Sequence, residues 1–176
     1  MKPMFRLATF AVAAVLLPLA AQAHPGHGAG AGFVMGFAHP LTGWDHLAVL
    51  LCLGALASGR GWRMALGAGL LLATALFTGA AIGVATPQSA LLEPALVVTV
   101  LVSVLLLRLQ ALIGRGVLLA LCLAFAMVHG VAHGQEAPAG GLAAYFAGLT
   151  LASAAIYVAV IVGAHLLRHR PVAGKL

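Results

Sequence analysis

The chain has 176 residues, 63% of them hydrophobic and only 7% charged, with a mean hydropathy of +1.12. A soluble domain of this length cannot hide so much apolar surface, so the excess must face lipid. The formal charge of +6 does not mark a nucleic-acid binder, because the basic residues stand at the ends of apolar segments and form no patch with aromatics.

Residues 1–23 read as a secretory signal peptide. Lys2 and Arg6 give a positive start, LATFAVAAVLLPLA an apolar core, and Ala21-Gln22-Ala23 a small-x-small cleavage pattern. The alternative is an uncleaved first transmembrane helix, for which the apolar core is short, since a span needs about 20 residues. Cleavage would leave residues 24–176 as one integral membrane domain with His24 at its external N-terminus. There the α-amine and the imidazoles of His24 and His27 would make a metal-collecting mouth; the bland alternative is a merely polar terminus.

Five apolar segments follow, at about 32–58, 64–85, 90–109, 117–134 and 142–167. Each is long enough to cross a hydrocarbon core of about 30 Å as a helix. The short linkers SGRGWR, TPQS, IGRG and QEAPAGG punctuate them. The expected fold is therefore all-α, a polytopic membrane helix bundle with five transmembrane helices. The 22 glycines and many alanines suit closely packed helices. Pro40 removes a backbone donor inside the first segment. A break at His39-Pro40 would split that segment and raise the count to six. Cys52 and Cys122 fall inside spans without a CxxC pair and read as small core residues.

Charge sets the expected orientation. With the mature N-terminus periplasmic, Arg60, Arg63, Arg108, Arg115, Arg168, Arg170 and Lys175 all fall on the cytoplasmic side, with the C-terminus. That is the pattern of a bacterial inner-membrane protein. The only acids are Asp45, Glu93 and Glu136. Glu93 opens the third span and Glu136 closes the fourth, both toward the outer face, while Asp45 lies within the first. Ionisable residues inside a span usually face the protein interior and mark an ion path or relay.

The polar residues of two spans share faces. On a helix His129, His133 and Glu136 fall within about 60° of arc. Two imidazoles and a carboxylate form a ligand set suited to divalent nickel, cobalt, zinc or copper. Gly130 and Gly134 would admit a second helix close by. In the first span His39 and His46 are seven apart on one face, and Asp45 points to the side. Asp45 would either ligate directly or orient a ligand histidine. Pro40 and Gly43 should loosen the backbone there. Thr42, Trp44, Met35 and Met127 read as packing or interface residues, and His165 and His169 as interface residues among arginines. Glu93, beside Pro94, reads equally as a helix-start charge and as a weaker metal ligand.

HPLTGWDH at 39–46 and HGVAHGQE at 129–136 resemble the two signature motifs of the HupE/UreJ family of nickel/cobalt permeases. The first supplies His39, Asp45 and His46, and the second His133, His129 and Glu136. The resemblance extends over nearly the whole mature chain. Val128 stands where the family often has an aromatic residue, and the chain ends soon after its fifth span, where relatives commonly continue into a sixth. The resemblance implies a small membrane protein that moves Ni²⁺ or Co²⁺ into the cell, often to supply hydrogenase or urease. The metal is then transported substrate, with no permanent cofactor, and the expected partners are the ion and membrane lipid; a homo-oligomer is left open. No nucleotide-binding loop is present, and no enzymatic activity is expected. Two rival readings stand: a haem-binding electron-transfer protein held by axial histidines, and an assembly factor for a metalloenzyme without transport of its own.

Overall fold

The computed structural model describes residues 29–58 and 60–168. The expected signal peptide, its boundary with the membrane domain, His24, His27 and His169 lie outside the described residues. Among those described there are six helices and no strand: α1 (Ala29–Thr42), α2 (Trp44–Ser58), α3 (Trp62–Ala85), α4 (Leu92–Leu109), α5 (Arg115–Glu136) and α6 (Leu142–Arg168). Proline chemistry sets several ends. Thr86 and Ala137, each just before a proline, take extended backbone and stop α3 and α5. Pro94 lies in the first turn of α4, where a missing N–H costs no helical bond.

Four helices, α3 to α6, are long and apolar enough to cross a membrane. The pair α1 and α2 makes a fifth span when taken together, bent by 70°. At 1.5 Å per residue each member of the pair is only about 20 Å long, too short to cross alone. Their register along α6 supports one broken span. Gly32 lies against Gly141 near the start of α6, and Gly54 lies against Tyr157 and Val160 much further along.

The break falls at Gly43, later than the His39-Pro40 step that sequence suggests. Pro40 is buried inside α1. At Gly43 a Cβ would lie 2.7 Å from His46 Nδ1 and 3.1 Å from the His39 carbonyl oxygen, so a side chain there would displace His46 from beneath the turn. Backbone bonds run through the bend, from Gly43 N to His39 O at 2.8 Å and from Leu47 N to Gly43 O at 2.9 Å.

Small residues bring two helix pairs into backbone contact. Gly79 and Gly83 of α3 face Gly130 and Gly134 of α5. A Cβ at Gly130 would land on the Leu76 carbonyl, and one at Gly134 on that of Ala80. Gly36 and Gly148 do the same for α1 and α6. This is how membrane helices gain packing energy where lipid is as apolar as leucine. Val49, Leu53, Val100, Leu106 and Leu118 fill the interior, while Leu70, Leu101, Leu105, Val158 and Val162 point outward. Apolar residues inside and out are what a lipid-embedded bundle requires, and the chain is a multi-pass membrane protein.

The ends of the bundle differ in charge. Arg60, Arg63, Arg108 and Arg115 gather where α2 and α4 end and α3 and α5 begin. Glu93 and Glu136 lie at the opposite end. Near the acidic end Gln135 Nε2 donates to the Pro87 carbonyl at 2.8 Å, tying α5 to the end of α3. Toward the basic end the Tyr157 hydroxyl donates to the Ala65 carbonyl at 2.9 Å, tying α6 to α3.

Candidate metal centre

The close contact of α5 with α3 fixes where the α5 histidines go. With Gly130 and Gly134 pressed on α3, His129 and His133 reach the helices on the other side. His129 meets α4, and His133 meets His39 of α1 and His46 of α2. The bend at Gly43 brings the α1 and α2 residues to the same place. Ring centroids are 4.9 Å apart for His39 and His46, 4.9 Å for His39 and His133, 4.4 Å for His46 and His133, and 4.9 Å for His46 and His129. His46 therefore touches all three others. His46, His129 and His133 are buried, and His39 is partly exposed.

Two carboxylates complete the group. Asp45 Oδ1 lies 2.9 Å from His46 Nδ1, and Glu136 Oε2 lies 3.3 Å from His39 Nε2. Neither contact has hydrogen-bond geometry, and His39 Nε2, both ring nitrogens of His46 and His133 Nδ1 are buried without a hydrogen-bond partner. Leaving a buried polar atom unpaired costs about 1–3 kcal/mol. Two of these nitrogens face a carboxylate oxygen, and the other two, His46 Nε2 and His133 Nδ1, are costly unless something else binds them. Three ligand atoms in each of two sets, His39 with His46 and His133, and Asp45 with His46 and His129, lie within 4.8 Å of one another. That spacing is within reach of an ion with bonds of about 2.1 Å after small adjustments. Imidazole with carboxylate suits nickel, cobalt, zinc or copper.

Five of the six principal residues named from sequence thus fall into these two sets. The sixth, Glu136, stands at the rim with 40% of its side chain exposed, against His39. Glu93 is exposed in the first turn of α4 and joins neither set. The Thr42 hydroxyl bonds to the Ala38 carbonyl of its own helix at 3.0 Å, in keeping with a packing role.

Two neighbours escaped the sequence reading. The Thr99 oxygen lies 2.8 Å from His129 Nε2 and donates to the Leu96 carbonyl at 2.7 Å. A hydroxyl has one proton, so the oxygen accepts from His129 Nε2–H, which leaves the lone pair of that ring on Nδ1. Orienting a ligand histidine through its other nitrogen is the usual way a protein sets its tautomer. Tyr145 of α6 is buried, its ring 6.3 Å from that of His39 and its hydroxyl without a partner among the described residues. A threonine and a tyrosine in apolar spans are the only sequence signal of either.

The sequence pattern described as HupE / UreJ protein matches residues 12–175, which takes in all six helices and both histidine motifs. No curated protein and no solved structure shows significant similarity to the chain. The match covers nearly the full length and agrees with the motif residues met in the centre, and the chain belongs to the HupE/UreJ family.

Proposed function

We propose that this protein is a secondary carrier or facilitator that takes up Ni²⁺ or Co²⁺ across the bacterial inner membrane, as a supply for a hydrogenase or urease. One observation carries the reading: imidazoles from three helices, three of the four buried, converge with two carboxylates inside a lipid-embedded bundle, with four ring nitrogens outside any hydrogen bond. The basic end faces the cytoplasm, as the positive-inside rule expects, and Glu136 with His39 faces the periplasm. An arriving ion meets these two first. It exchanges water for imidazole and carboxylate, and the carboxylates offset part of its charge. The inside-negative potential then favours inward movement by about 2.3 kcal/mol per charge per 100 mV. The haem reading fits less well, since rings 4.4–4.9 Å apart leave no flat slot for a macrocycle between them.

The test is ⁶³Ni accumulation in cells with and without the protein. Expression should raise uptake, and His133→Ala and Asp45→Asn should each return it to the level of cells lacking the protein. Uptake unchanged in both variants removes the assignment. Metal binding without accumulation in the unaltered protein identifies an assembly factor, and a Soret band identifies the haem reading.

A further inference from the structure

We propose that the centre is two metal positions in series that share His46. The inference rests on the metal-carrier reading and specifies how its site is divided. The ligand groups do not converge on one point. Among the described residues, the sets whose ligand atoms all lie within 4.8 Å of one another are triads, and the two triads overlap only at His46. The ring of His46 lies against those of His39, His133 and His129 in turn. It is also the one histidine of the four with both ring nitrogens buried and outside any hydrogen bond, Nδ1 facing the Asp45 carboxylate.

The positions differ in depth and chemistry. Along α5, His129 is four residues further from the Glu136 end than His133, which is about 6 Å at 1.5 Å per residue. The first position, His39 with His46 and His133, offers nitrogen alone and lies next to Glu136 at the rim. The second, Asp45 with His46 and His129, adds a carboxylate and is backed by Thr99. Asp45 Oδ1 stands 2.9 Å from His46 Nδ1, so Nδ1 belongs to the second position and Nε2 serves the first. A neutral imidazole has a single lone pair. An ion in one position therefore excludes an ion from the other. Transfer swaps one end of the His46 ring for the other: as the ion moves from Nε2 to Nδ1, Nδ1 gives its proton to solvent and Nε2 takes one from solvent, so the ring has one N–H before and after.

The experiment is Co²⁺ titration of the protein in detergent with His24 and His27 replaced by alanine, the background called unaltered below, read by visible absorption, which responds to ligand type and geometry. The unaltered protein should bind one Co²⁺ per chain. His39→Ala should keep Co²⁺ in the second position and His129→Ala in the first, with affinity losses of about tenfold and clearly different spectra. His46→Ala should weaken binding by more than a hundredfold, as should His39→Ala combined with His129→Ala. Helix content and gel-filtration profile confirm folding of each variant, and His39→Gln with His129→Gln replaces any pair that misfolds. Identical spectra in the two single variants, or two ions bound to the unaltered protein, overturn the shared-residue scheme but leave a metal carrier standing. No Co²⁺ bound to the unaltered protein overturns both readings.

Discussion

Thr99 does two things with one oxygen. It donates to Leu96 O of its own helix and accepts from His129 of α5. Its methyl-for-hydroxyl replacement, Thr99→Val, keeps the volume and removes the acceptor, so the His129 tautomer is no longer fixed. Loss of such a supporting partner costs about 10–100-fold in metal affinity. Thr99→Val should therefore weaken Ni²⁺ binding by at least about tenfold in isothermal titration, and Thr99→Ser should restore it. Equal affinity in all three proteins would show that Thr99 only packs. The contrast with the site histidines explains what sequence could tell. A histidine or aspartate in an apolar span is conspicuous because burying it is costly, and His39, Asp45, His46, His129 and His133 were all legible for that reason. A threonine there is ordinary, since it can satisfy itself on the preceding turn. Thr74, Thr78 and Thr150 do only that among the hydrogen bonds seen here. What sets Thr99 apart is a partner 30 residues away.

At the scale of helices, the site depends on backbone-to-backbone contact more than on apolar side chains. Gly130 and Gly134 seat α5 on α3, and the histidines before and between them take their direction from that seat. Gly130→Leu should push the helices apart at the Leu76 carbonyl. Overpacking of this kind costs about 1–3 kcal/mol, or more where backbone is in the way. The thermal midpoint in detergent should fall by several degrees, and ⁶³Ni uptake should be lost with it. Gly67→Ala, where a Cβ meets nothing within 4 Å, should change neither. If Gly130→Leu behaved like Gly67→Ala, α5 would not be held by this contact in the membrane. Sequence revealed that Gly130 and Gly134 invite a close neighbour but not which one. Five apolar segments of similar composition have no local mark of adjacency, and the answering glycines, Gly79 and Gly83, look like any others among the 22. The bend was partly legible in the same sense. Pro40 announces a missing donor, but α1 continues past it, and the turn is made where His46 needs room under Gly43.

At the scale of the molecule, the centre has a polar side and an apolar side. Glu136 and His39 are partly exposed near the acidic end. On the other side a cavity of about 420 Å³ runs from His46, His129 and His133 to Trp62 and Ala65, lined mostly by apolar side chains of α2, α3, α5 and α6 with Pro40 of α1. A divalent ion does not cross such a space without ligands, because losing water there is uncompensated. On the carrier reading, an ion received at the acidic end is held here, and release toward the basic end requires α6 and α3 to part where the Tyr157 hydroxyl bonds the Ala65 carbonyl. The direction of transport then depends on which end faces the cytoplasm, and charge alone argues for the basic one. Cysteine labelling decides it. With Cys52 and Cys122 replaced by alanine, a membrane-impermeant maleimide should label Gly28→Cys, Ser89→Cys and Gly140→Cys in intact cells. Trp62→Cys and Gly114→Cys should react only after lysis. Positions 28 and 62 flank the bent pair, so opposite labelling makes α1 and α2 one broken span. Labelling of both from the same side would instead make the pair a re-entrant loop. An ion at Glu136 would then be reached by a four-span protein, and the inside-negative potential would have to be weighed anew against the depth of the loop.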